Sequence, residues 1–339
     1  MAWFVRICTF TMFVGLAVSP RCPLPAAEVS ELKATVRSWD VPTKGGKPYA
    51  VTVGPDGSVW FSEESANKIG QLDPKTGKCK EYPITEEKNV APHGLAADSN
   101  GNVWFAASLG GFIGRLDPNS GKVTVYKMPD PKATDPESLA FDRKGILWFT
   151  VQNANMVGKL DPTSGMITLK PAPSANAHPT GIIVMQQGFP VFAEPGANKI
   201  GSIAPDSFLA HDFSLPPGTR SKKLAIAPDD NTLYFTDYVS GNLGKLDVSI
   251  GAMVLMPTPS GAESVPSGIT ISADGTVWYC ETGVQPNNLI HFLPRTNAFA
   301  RTPIPFVSSA VTSMAAAPDG RIYFVSSDVD KIGVVEVPK

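Results

Sequence analysis

Histidine is the side chain best suited to moving protons near neutral pH, and this chain of 339 residues has only four. One of them, His93, stands between a proline and a glycine in Ala91-Pro92-His93-Gly94, shortly before the apolar run Val103-Trp104-Phe105-Ala106-Ala107. Paired with Glu63 or Glu64 upstream, an imidazole in that setting can act as the base of an acid and base couple. With Glu137 added, the same groups can hold a divalent cation, Mg²⁺ or Ca²⁺, for which carboxylate oxygens are the usual ligands. Tyr49, His178, Glu194, Asp237 and Glu281 complete the candidate ligand contacts. The chain has no Gly-x-Ser-x-Gly elbow, phosphate loop or His-Glu-x-x-His, and no Cys-x-x-Cys. Common nucleophile and transition-metal designs are therefore unsupported.

What must position these residues is a repeat. The segments KPYAVTVGPDGSVWFSEESANKIGQLDPKTGKCKEYPI, APHGLAADSNGNVWFAASLGGFIGRLDPNSGKVTVYKM and DPESLAFDRKGILWFTVQNANMVGKLDPTSGMITLKPA align landmark by landmark, and four weaker copies follow. Their turn glycines, Gly57, Gly101, Gly145, Gly188, Gly275 and Gly320, keep a spacing of 43 to 45 residues, with Asp230-Asn231 filling the fifth slot. That is the period of a propeller blade. Each copy predicts four strands, the first two joined by an Asp-Gly type turn and the last two by Asp-Pro-x-Thr/Ser-Gly. Such a sheet cannot bury both faces alone, but stacked radially it can. The expected fold is therefore an all-β, seven-bladed β-propeller spanning residues 28–339. The seventh copy ends after its third strand, and the orphan strand Ala34 to Pro42 is expected to supply the fourth and close the ring.

The ring explains why the candidates belong together. Loops entering the first strands and leaving the second strands share one mouth of the channel, where propellers collect ligand contacts. The entering positions, placed two residues before each first strand, are Tyr49, His93, Glu137, Thr180, Lys223, Ser267 and Thr312. Glu63, Glu194, Asp237 and Glu281 recur at one slot of the second-strand exits, which also suits a structural task, accepting backbone hydrogen bonds from loops. Trp60, Trp104, Trp148 and Trp278 recur at one second-strand position and are expected to pack between blades. His211 and His291 fall in fourth and third strands, away from the channel.

Residues 1–27 combine Arg6, an apolar run from Ile7 to Val18 and a Pro-broken stretch ending Pro25-Ala26-Ala27. This reads as a secretory signal peptide, and the mature protein as periplasmic or secreted, free of the membrane. The cut would remove Cys8 and Cys22, leaving Cys79 and Cys280 in different strand types of non-adjacent blades, expected as free thiols. With 29 Lys and Arg against 31 Asp and Glu and no basic run, nucleic acid is not an expected partner. A monomer that takes a small-molecule or peptide ligand is expected.

The strings PHGLAADSNGNVWF and GRLDP, with VWFSEESANKIGQL and a fourth strand ending EYPI, resemble the virginiamycin B lyase (streptogramin lyase) family. The resemblance runs through all seven copies. It implies a seven-bladed propeller and, for an enzyme, a carbon–oxygen lyase that linearises cyclic depsipeptides at the ester by magnesium-dependent elimination. The family's catalytic positions lie in the last two blades, where this chain has Ser267, Ala310, Thr312 and Ser327. Two functions follow as expectations. The first is an exported propeller that binds a ligand at the channel mouth. The second is a lyase acting on an ester or lactone, its site relocated around His93 with Glu63, Glu64 and Glu137.

Overall fold

The structure, a computed structural model, describes residues 29–84, 90–307 and 310–337. The leader segment read as a signal peptide lies outside the described residues. Seven antiparallel sheets follow one another along the chain. Blade one shows the plan, with strands Pro48–Val53, Val59–Glu63, Lys68–Leu72 and Cys79–Pro83 in that spatial order. The first strands of neighbouring blades touch all the way round, seventh against first included, so they form the inner wall.

The ring closes as the repeat count requires: Thr35–Asp40 pairs antiparallel with Lys331–Glu336 and becomes the fourth strand of blade seven. A further strand had no counterpart in the repeat. Val29–Glu31 runs parallel to Ala298–Pro303 and makes blade six five-stranded. The N-terminal segment thus bridges the last two blades.

Second strands are buried along their whole length except for Thr232 at the start of the fifth, and the repeating tryptophans fill the gaps between blades. Trp60 packs with Ile69 and Tyr82 of its own blade against Val103, Phe105 and Leu116 of the next. The indole N–H of Trp104 donates to Asp98 at 2.9 Å, and that carboxylate also accepts the backbone N–H groups of Asn100 and Asn102 in the hairpin turn. One aspartate thereby ties turn to core.

The glycine that recurs in the middle of the third strands has a steric cause. Phe105 stands opposite Gly114, and a Cβ on Gly114 would lie 2.0 Å from the ring. The same pairing recurs as Phe61 with Gly70, Phe149 with Gly158 and Phe324 with Gly333. Blade six departs from it, setting Tyr279 against Ile290. Glycine to alanine in a strand would by itself stabilise by about 0.4–1 kcal/mol through the unfolded chain. Overpacking of about 1–3 kcal/mol outweighs that gain. Gly114→Ala is therefore expected to lower the melting temperature, and an unchanged or higher value in a thermal melt would refute the packing account.

Candidate functional site at the channel mouth

The candidate residues are not in loops before the first strands, where the repeat placed them. Tyr49, His93, Glu137, Lys223, Ser267 and Thr312 lie inside those strands, and only Thr180 precedes its own. Each of the six sits at a break in register. In blade two Pro92 pairs with Ala107 but Leu95 with Phe105, leaving His93 and Gly94 in a bulge, and blades one and three do the same around Tyr49 and Glu137. A bulge adds an unpaired residue and re-aims its side chain, here into the channel.

Gly94 sets how closely the next blade approaches. A Cβ there would fall 2.8 Å from the carbonyl oxygen of Glu137 and 2.8 Å from the Cα of Ser138. Ser62 does the complementary work on the other side. Its hydroxyl accepts the bulged N–H of Ala50 at 3.0 Å and donates to the carbonyl of His93 at 2.8 Å. The sequence reading overlooked Ser62, whose signal is a hydroxyl in an otherwise apolar second strand; Thr150 repeats the arrangement toward Thr180.

With three first strands so placed, their side chains converge. His93 Nδ1 lies 2.5 Å from Glu137 Oε2, and the Tyr49 hydroxyl donates to Glu137 Oε1 at 2.7 Å. The Tyr49 ring stacks on the imidazole, centroids 4.1 Å apart and planes 16° from parallel. Glu64 Oε1 approaches the other nitrogen, Nε2, at 3.7 Å, and Lys223 Nζ stands 5.7 Å from the centre of the Tyr49 ring.

The electrostatics of the cluster follow from burial. Burial alone would raise the Glu137 carboxyl, but the His93 hydrogen bond and the charges of Lys223 and His93 overcome it and hold Glu137 down at about 2. Tyr49 moves the other way, its phenol pushed up by burial and then by Glu137. Ionised Glu137 can only accept, so Nδ1 must carry the proton. In the neutral ring Nε2 is then the free acceptor.

The other candidates occupy different surroundings. Glu63, one of the two partners considered for His93, is fully buried within blade one near Glu81 and Lys68, and burial followed by the charge of Glu81 pushes it up to about 8. Glu194 repeats this in blade four near Asp212 and Lys199. Asp237 accepts the backbone N–H groups of Arg220, Val239 and Ser240, and Glu281 accepts the N–H and hydroxyl of Ser260. Those two carboxylates anchor loops. His178 is exposed, its backbone N–H donating to Asn155, and it enters none of the cluster's hydrogen bonds. Cys79 and Cys280 are both free thiols, their pKa values raised by burial.

The donor set can be tested against magnesium. Ser267 donates its hydroxyl to the carbonyl of Val311, and Thr312 donates to that of Tyr49. The backbone N–H of Ser327 donates to Ala310, whose side chain offers no ligand atom. Magnesium favours carboxylate and water oxygens in octahedral array, and these positions provide no carboxylate. In the His93 cluster the two carboxylates do not converge, Glu137 lying at Nδ1 of the imidazole and Glu64 at Nε2. Among the described residues no group of three His, Cys, Asp or Glu side chains could hold a metal ion. The residues present do not fit that ion.

Residues 26–282 match the family model described as the virginiamycin B lyase family. Among solved structures, selenomethionine-substituted virginiamycin B lyase from Staphylococcus aureus has a TM-score of 0.81 at 25% identity, covering 90% of this chain and 100% of that one. A catalytically inactive histidine-to-alanine form of the same enzyme, solved with quinupristin, has a TM-score of 0.82 at 25% identity, with coverage of 90% and 100%. Kuenenia stuttgartiensis hydrazine synthase, at 14% identity and a TM-score of 0.73 over 87% of this chain and 96% of that one, shares the fold alone. No curated protein matches the chain.

Proposed function

We propose that this chain, which belongs to the virginiamycin B lyase family, is an exported propeller that binds a small molecule or a peptide loop at the channel mouth. The leader-like residues 1–27 support export. One observation carries the binding reading: three blades each deliver a bulged side chain to one point, where Glu137 and Tyr49 orient an imidazole with Nε2 outside their hydrogen bonds and Glu64 3.7 Å from it. Packing alone does not call for a carboxylate kept ionised under an imidazole, since burying that charge is costly.

The same geometry favours a second reading, elimination at an ester. His93 Nε2 would take a proton from the carbon next to the alkoxy carbon. The C–H electron pair becomes the new C=C bond, the alkoxy C–O bond breaks, and the ester's acyl part leaves as a carboxylate. Glu137 would stabilise the imidazolium formed and fix its orientation, the role of the buried acid in catalytic triads.

Quinupristin is a usable probe because a solved relative was studied with it. Elimination leaves the mass of the product equal to that of the substrate, whereas hydrolysis adds one water, so mass spectrometry separates the two. If turnover is found, His93→Ala is expected to reduce it by about 10²–10⁴-fold, compared with wild type at a temperature well below the lowered melting point that loss of the Glu137 bond brings. Full activity in that variant would sink the His93 base, and absence of quinupristin binding by calorimetry would count against a depsipeptide ligand.

A further inference from the structure

One charge in the channel mouth has no counter-charge in direct contact. Lys223 shares the bulge of the first strand in blade five with Lys222, one residue past the register slot that holds Tyr49, His93 and Glu137 in blades one to three. It is half-buried, with its ammonium 5.7 Å from the centre of the Tyr49 ring. Its charge helps hold Glu137 ionised. Yet among the described residues its ammonium makes no ion pair or hydrogen bond, and the two Glu137 oxygens bond instead to Tyr49 and His93. Its neighbour Lys222 points elsewhere, exposed and 5.2 Å from the centre of the Tyr238 ring.

A partly desolvated ammonium whose direct contact is a cation–π one with the Tyr49 ring, and no anionic oxygen, is an arrangement that a ligand carboxylate would improve. We propose that Lys223 anchors a carboxylate of the ligand in the channel mouth. Glu64, the other charge facing His93, sits on the Nε2 side and would repel an anion there. The carboxylate therefore belongs on the Lys223 side of the Tyr49 ring, with the rest of the ligand reaching toward His93. This inference rests on the channel-mouth reading. Under the elimination reading, Lys223 would receive the departing carboxylate and supply the positive charge that the family's magnesium positions do not provide here.

Benzoate and benzamide form a suitable probe pair, equal in shape and different in charge. Titrated into protein with labelled histidines, benzoate is expected to shift the His93 imidazole resonances saturably and at least about tenfold more tightly than benzamide, a difference of roughly 1.4 kcal/mol. Lys223→Met should abolish the preference, Lys223→Arg should keep it, and Lys222→Met should leave it unchanged. Equal affinity for the two probes, no shift with either, or a preference that survives Lys223→Met would overturn the assignment. Quinupristin binding that persists alongside any of these failures would leave the channel-mouth reading standing. Loss of both would overturn the Lys223 assignment and count against a depsipeptide ligand at the channel mouth.

Discussion

Glu137→Gln is expected to flip the tautomer of His93 while leaving the fold in place. The amide matches the carboxylate in shape but brings one acceptor oxygen and one donor nitrogen to partners that both donate, Tyr49 Oη and His93 Nδ1. If Tyr49 keeps the oxygen, Nδ1 must become the acceptor and Nε2 takes the proton, which removes the base from the open side of the ring. In serine proteases the corresponding acid-to-amide change lowers turnover by about 10⁴-fold through the wrong tautomer. Histidine ¹⁵N shifts read the tautomer directly and need no substrate. An Nδ1-protonated ring in the variant would refute the orienting role.

The same substitution has a stability consequence. Losing charge-assisted hydrogen bonds and the anion near Lys223 should cost about 1.5–3 kcal/mol at neutral pH. Glu137 is held at about 2 in the folded protein against an ordinary 4.5. Its stabilisation is therefore fully present above 4.5 and lost as pH falls toward 2. The variant should show a shallower acid limb in its melting curve against pH. An acid limb identical to wild type would contradict the bond network.

The second large effect runs in the opposite direction on the pH axis. Glu63 ionises near 8 when folded and near 4.5 in its ordinary state. Between those values the folded protein binds more protons than the unfolded one, so stability is greatest below 4.5 and declines as pH rises toward 8. The slope is up to about 1.4 kcal/mol per pH unit. Burial of the carboxyl drives the decline, the charges of Glu81 and Asp330 add to it, and Lys68 opposes it. Glu63→Gln keeps the shape of the neutral acid without the ionisation. It should match wild type at pH 5 and exceed it by about 2–4 kcal/mol at pH 9. Glu194 and Asp135, also raised by burial, leave part of the slope in place. Parallel curves for variant and wild type would show that Glu63 does not titrate in this range.

These two carboxylates show how far local pattern can be read. Both sit in repeat slots and both were candidates, yet one stays charged and the other neutral. A repeat alignment reports which residues are equivalent along the chain; it contains nothing about the dielectric around each. Glu137 finds a tyrosine, a histidine and a lysine from blades one, two and five, whereas Glu63 finds a second glutamate and a lysine in its own blade.

By itself the sequence determined the blades, their number and the closure by the N-terminal strand, because turns, alternation and strand length are local and recur with one period. It also singled out Pro92-His93-Gly94 and the ring of entering positions. Tertiary structure decided the rest. The bulges that turn Tyr49, His93 and Glu137 inward appear only when strands pair. His93 was matched to Glu63 or Glu64 of the preceding blade with Glu137 nearby; Glu64 does stand 3.7 Å from Nε2, but the 2.5 Å partner is Glu137, in the following blade, and Glu63 is buried elsewhere. Closing seven sheets into a ring sets distances across the channel independently of separation in sequence, and those distances decide which charges meet.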